Sequence, residues 1–365
     1  MSSKTNHIAA IITALLLFFQ NNSEAKCLNA FIDQYDRFRI IENGQMYLES
    51  DILIKSFKVG KEYVAYVDPY NNFKIFANGQ SQTVQEIAPV KYDATDYLVV
   101  YQNAGDQVYC ISEGQKHFIG QFRGDYAYGD SIVAYVDFYG EFKAFYKGQT
   151  HILENRPVKT FKVQDNALVY IDINNEFKLY KNGEVISLEY GNPPLSFQVD
   201  RNIVAYVDGV NSFTCYYGGQ FYTLQNFAPE SYKIGENIVA FIDNRNMLKA
   251  FYDGRVYDVL DIEPKSYQTY ENFLLFYDLR SFLHVFYKGK TQQLTNYKPR
   301  EVQVDNDIIA YTDLDNKLNV FYHGEKKQIA GESIRFFELN NESLIFYQVP
   351  STVYESCGAG PVNNF

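Results

Sequence analysis

The phrase "IVAYVDFYGEFKAFYKGQ", Ile132 to Gln149, returns as "YVAYVDPYNNFKIFANGQ" from Tyr63, "IVAYVDGVNSFTCYYGGQ" from Ile203 and "IVAFIDNRNMLKAFYDGR" from Ile238. The Asp that closes its first half falls at Asp33, Asp68, Asp137, Asp172, Asp208, Asp243, Asp278 and Asp313. The intervals are 35, 69, 35, 36, 35, 35 and 35 residues, and "YLVVYQN" fills the double interval with Asn103 in place of Asp. A degenerate copy, "SLIFYQV", places Gln348 at the same landmark. Gly44, Gly79, Gly114, Gly148, Gly183, Gly219, Gly254, Gly289 and Gly324 keep the same step independently. Two unrelated domains could not hold one register across a boundary, so the chain is a single repeat array.

Each step reads as four short strands. In residues 157–191, "TFKVQDN" alternates (strand a), "ALVYID" is apolar on both faces (b), and "FKLYK" alternates again (c). Asn182-Gly183 makes a tight hairpin into "EVISLE" (d). A longer link follows, usually with a proline: Pro89, Pro157, Pro194, Pro229, Pro264 or Pro299. Strand b needs a neighbouring sheet on each face, and stacking the units around an axis supplies both. At this point the chain resembles β-propeller repeat proteins, with a TolB-like flavour in "NIVAYVD…FKAFYKGQ". The resemblance implies an all-β fold: a single large propeller of four-stranded repeats, with nine or ten units. An open β-solenoid is the alternative. Eight units show all four strands; the first shows b, c and d, and the last a, b and c. The expected layout is residues 1–25 signal peptide, 26–357 repeat domain and 358–365 C-terminal tail.

Composition bounds function. Hydrophobic residues make up 46%, with 33 Tyr and 29 Phe, enough apolar surface for a large core. A net charge of −11 with dispersed basic residues argues against nucleic acid and anionic membrane surfaces as partners. Lys4 and His7 precede an apolar run, Ile8 to Phe19, too short to span a bilayer, and Ser23-Glu24-Ala25 offers a cleavage site. The expectation is export through a signal peptide to a periplasmic or extracellular location. Lys26 argues against lipid anchoring at Cys27.

Cys110 and Cys215 occupy a strand c slot where other copies have Ile75, Ala144 or Leu179, and are read as buried apolar fillers. Cys27 and Cys357 mark the two ends of the array, and a disulfide between them would staple first unit to last. Two free or unrelated terminal thiols is the alternative. The recurring Asp fits an Asx-type turn cap better than a metal ring. His117, His151, His284 and His323 read as tolerated surface substitutions. No catalytic, phosphate-loop or metal-spacing motif is present, so no catalytic residue, metal or cofactor is assigned.

In a propeller the strand entered from the long link is innermost. The channel-lining candidates are therefore the strand a residues Lys58, Asp93, Lys162, Gln198, Lys233, Gln268, Gln303 and Glu338. The b–c turns and the d–a links share one rim, where Arg156, Lys159, Lys265, Lys298 and Arg300 are partner-face candidates. The leading expectation is an exported, non-enzymatic interaction scaffold with a protein partner in a cell-envelope or surface complex. A lectin-like propeller binding glycan or a small ligand at several sites is the alternative, and a hydrolase or lyase the third.

Overall fold

A computed structural model describes residues 27–121, 126–340, 342–348, 352–357 and 362–364; the side chains of Thr352, Cys357 and 362–364 lie outside the described part. The expected signal peptide also lies outside it. Ten antiparallel sheets follow one another along the chain, and no helix occurs among the described residues. Blade 5 is typical: strands a to d are Thr160–Gln164, Ala167–Ile171, Phe177–Lys181 and Glu184–Glu189, paired in chain order. The c–d hairpin has Asn182 at φ 53° and Gly183 at φ 89°, as a type I′ turn requires.

Strand b is buried throughout in blades 2, 5, 6, 7 and 9 and loses cover only at its C-terminal end in the others, because each of its faces meets a different neighbour. Val169 and Tyr206 share one cluster with Leu179 and Phe197 across the blade 5–6 seam. Leu168 and Tyr170 look the other way, to Phe142 and Tyr180 in the blade 4–5 seam. Each such side chain contributes about 1.5–3 kcal/mol of burial. A recurrent ring stack fastens the seams: Phe142 of strand c lies 5.1 Å from Phe161 and 5.2 Å from Tyr170 of the next blade. Phe38, Phe73, Phe177 and Phe213 repeat it.

The array closes. Asn29 in blade 1 is fully buried, donates from Nδ2 to the Ser343 carbonyl of blade 10 (3.1 Å), and accepts from Asn340 Nδ2 (3.1 Å). Phe31 and Ile41 share a cluster with Ile345. These contacts exclude the open solenoid, whose ends would lie apart. The blade count is ten. Blade 1 has three strands, Leu28–Ile32, Phe38–Glu42 and Gln45–Ser50, as expected. Blade 10 differs from expectation: the residues read as a tail supply a fourth strand, Val362–Asn364, which pairs with Thr352–Cys357. In sequence, Gly358-Ala359-Gly360-Pro361 stands before it in place of the two-residue Xaa-Gly turn that precedes strand d elsewhere.

Candidate functional site

The recurring Asp caps the b–c turn. Asp172 Oδ1 accepts the amides of Asn174 (2.8 Å) and Glu176 (2.9 Å), while Oδ2 holds Lys178 Nζ at 3.1 Å. Asp68 and Asp137 do the same with Lys74 and Lys143, and Asp33 with Arg39. These contacts hold the Asp33 carboxyl down at about 2, against the effect of burial. His284 takes the lysine's place, 3.2 Å from Asp278 and stacked on Phe276. At 15% side-chain exposure it is a partly buried partner of the cap, where the sequence reads as a surface substitution. Cys110 and Cys215 are free, buried fillers, with burial pushing the Cys110 thiol up to about 12.

The channel candidates on strand a divide into two sets. Lys162 Nζ donates to the Phe197 carbonyl (2.8 Å), Gln198 Nε2 to the Tyr232 carbonyl (3.0 Å), and Gln303 Nε2 to the Phe337 carbonyl (2.9 Å). Lys233 Nζ donates to Gln268 Oε1 (2.6 Å), and Asp93 accepts from Tyr128 (3.0 Å). Each bond reaches the next blade, so these groups brace the ring. Glu338 bonds Asn340 within its own strand, with its pKa raised by burial, and Lys58 is exposed.

Further along the axis lies a cluster that no sequence motif announces. Every a–b turn from blade 2 to blade 10 carries an acid or amide: Asp96, Asp130, Asp165, Asp200, Glu236, Glu271 and Asp307 among them. Among the described residues Arg201 alone projects a guanidinium into this ring. Its nitrogens lie 2.7 Å from Asp130, 3.5 Å from Glu236, and 3.7 Å from both Asp96 and Asp165, four carboxylates from four other blades. Lys61 pairs with Asp96 at 2.9 Å. Asn202, Asn237, Asn272 and Asp307 form a hydrogen-bonded ladder from blade to blade at 2.9, 2.6 and 2.9 Å. Burial, with Asp96 and Asp165 nearby, pushes Asp130 up to about 6 despite Arg201. Burial pushes Glu271 up to about 7, with Lys61 opposing and Glu236 adding. Asp200 is held above the usual carboxylate range by burial and its contact with Asp165. The signal present in sequence is an acid at each turn, with one arginine breaking the series. Among the described residues no acid cluster has metal-binding geometry.

The link rim holds the predicted cations, but three of them serve the turns. Lys159 bonds Asn175, Lys265 Nζ bonds Ser281 Oγ (2.9 Å), and Arg300 bonds Asn316 (3.0 Å); in each case the acceptor is a positive-φ residue of the b–c turn. Arg156 and Lys298 are exposed. What distinguishes this rim is apolar. The tips of the b–c turns present Tyr70, Phe138, Tyr139, Val210, Leu279 and Leu314 to solvent, with Phe138 and Tyr139 89% and 85% exposed. The links add Ile87, Val90, Tyr190, Leu195 and Phe227. The c–d turns of the opposite rim are polar, such as Asn78-Gly79, Lys147-Gly148 and Asp253-Gly254.

The profile of the 10-bladed beta propeller domain matches residues 22–356. The chain belongs to the ten-bladed β-propeller family. No curated protein matches this propeller in sequence. Among solved structures, it is similar to the computationally designed Ika8 protein (15% identity, 74% of this chain and 93% of that one, TM-score 0.34). It is also similar to the ectodomain of the Physcomitrella patens receptor kinase CR4 (12%, 68% and 77%, TM-score 0.37) and to BamB from Moraxella catarrhalis (8%, 82% and 95%, TM-score 0.31). No helix among the described residues of the propeller is long and apolar enough to cross a membrane.

Proposed function

We infer that this propeller is an exported interaction scaffold that docks a protein partner of the cell envelope or surface on its link rim. The observation that carries this reading is the apolar crown on the b–c turns and d–a links. Single exposed apolar side chains are ordinary, but a recurring series on one rim, facing a polar opposite rim, marks a contact surface. The ring beneath is rigid: its inner strands are bonded blade to blade, and its turns are capped by Asp172 and its counterparts. Such a frame presents aromatic side chains at low entropic cost, which suits them as anchors. The leader-like first 25 residues support export. A Cys27–Cys357 disulfide fits the same setting. Cys27 is buried at the start of blade 1, and the backbone of Cys357 pairs with Ser343, whose carbonyl accepts from Asn29.

The test is crosslinking in the native envelope with the double variant Phe138→Asp, Tyr139→Asp. These side chains are almost wholly solvated, so the Tm should hold while recovery of a stoichiometric partner falls about tenfold or more. Unchanged recovery would refute the rim as the docking face.

A further inference from the structure

The ten seams are not equal. Among the described residues, nine hold clusters of eight to ten buried residues, whereas the closing seam between blades 10 and 1 holds three: Phe31, Ile41 and Ile345. A cleft of about 550 Å³ opens there, walled by Phe31, Phe336, Tyr347 and Val353. That volume lies in the range of about 300–1,000 Å³ usual for ligand sites.

The repeat shows what the other seams hold. Eleven residues before the landmark, blades 2 to 10 carry Phe57, Tyr92, Tyr126, Phe161, Phe197, Tyr232, Tyr267, Val302 and Phe337 on strand a. Where strand c supplies a Phe, this ring packs on it at about 5 Å, as Phe57 does on Phe38 and Phe161 on Phe142. Blade 1 has no strand a among the described residues, so its strand b pairs on one side only. Asn29 masks part of that open edge: its Oδ1 accepts the Ala30 amide at 2.8 Å. The wall opposite is also smaller than usual, because Val353 stands where Phe38, Phe142 and Phe177 begin strand c elsewhere. In this chain the same count backward from Asp33 falls on Asn22, which has no ring to offer.

The mouth is cationic. Arg37 and Arg39 both bind Asp33, at 2.9 and 2.7 Å, so one carboxylate answers two guanidiniums. Arg335 is exposed beside them on strand a of blade 10. We propose that this cleft is a binding site for an extended peptide segment of a partner protein, carrying one aromatic side chain flanked by carboxylates. The ring fills the place that strand a fills at the other seams, and the carboxylates meet Arg37, Arg39 and Arg335. The proposal deepens the scaffold reading, since the cleft opens on the same rim, and names the chemistry of one partner element.

The probe is a fluorescein-labelled hexapeptide, DSFQVD, patterned on the chain's own strand a and titrated by fluorescence polarisation against the purified protein. DSAQVD and the lysine-flanked KSFQVK are its controls. Saturable binding is expected, weakened about tenfold or more in both controls. Arg335→Glu should weaken it about fivefold or more at unchanged Tm, as an exposed rim charge. Val353→Phe should abolish it while holding or raising Tm, because the new ring fills the cleft. Three results would each overturn the proposal: no saturation by about 1 mM peptide, equal binding of all three peptides, or full binding by Val353→Phe. If the chain retaining residues 1–26 excludes the peptide, the slot is its own, and the partner segment is likewise refuted. If peptide binding fails while the Phe138, Tyr139 double variant still loses its partner, the scaffold reading stands without this site. Peptide binding that survives in that double variant separates the two in the other direction and supports the cleft.

Discussion

Replacing Arg201 with methionine keeps most of the volume and removes the guanidinium among four carboxylates. The side chain is 26% exposed, and Asp130, Asp165 and Glu236 are less exposed still. Stranding buried charges in this way costs about 3–5 kcal/mol in dry sites, and about 2–4 kcal/mol is reasonable at a quarter-exposed one. The cost must depend on pH. Asp130 and Glu271 titrate in the folded ring at about 6 and about 7, above their unfolded values, so the stability they lend is fully present below pH 4. It is lost as pH rises through 6 and 7. Without Arg201 the carboxyls of Asp130, Glu236 and Glu271 shift further up, each unit adding about 1.4 kcal/mol of penalty once ionised. The variant should therefore be destabilised by about 2–4 kcal/mol at pH 8 and by about 1 kcal/mol or less at pH 5, where the acids can protonate. Urea midpoints for both proteins at both values read this directly. Equal losses at pH 5 and pH 8 would refute the electrostatic account and leave only lost packing.

Other consequences follow from the same contacts. Asp172→Ala removes the acceptor of two turn amides and the partner of Lys178, and should cost about 2–3 kcal/mol by urea denaturation near pH 7. The Asp172 carboxyl is depressed in the fold, so its stability is present above the unfolded pKa, and the deficit should shrink as pH falls below about 4. Gly235→Ala would set a Cβ 1.6 Å from the Tyr270 carbonyl oxygen of the next blade, forcing the seam apart; a loss of about 3 kcal/mol or more is expected, against little effect at the open Gly331. Non-reducing peptide mapping of the oxidised protein should find Cys27 joined to Cys357, and Cys27→Ser should lower stability by about 2–4 kcal/mol. Free Cys27 in oxidised protein would refute the staple.

Fold is legible because it is written ten times. The doubly apolar strand b, the Asn-Gly hairpins and the constant landmark each state a local rule, and they agree. The copies say less about the axis. Lys162 and Gln198 belong to the innermost strand, as their repeat position implies, but their hydrogen bonds run to the carbonyls of Phe197 and Tyr232, roughly one repeat ahead. A pattern read within one unit cannot show that. Arg201 escapes a sequence reading for a related reason: a single arginine in one turn looks like surface variation until four other blades bring their acids around it.

The polar inner wall follows from the blade number. Ten short units leave a wide axis, and strands a of three to seven residues cannot fill it with apolar side chains. The inner wall therefore has to be polar and has to satisfy itself. It does so laterally, through the strand a bonds to neighbouring blades, the Asn202–Asn237–Asn272–Asp307 ladder and the Arg201 cluster. Lateral bonding of this kind is continuous only while every blade offers a strand a to its neighbour. Blade 1 offers none among the described residues, and Asn29 substitutes with one carboxamide for a whole strand. At the same seam, among the described residues, lies the cleft walled by Phe31, Tyr347 and Val353. Closure of the ring and its large opening thus fall in one seam, and a ring that closed by completing strand a of blade 1 would keep its apolar crown but lose the cleft.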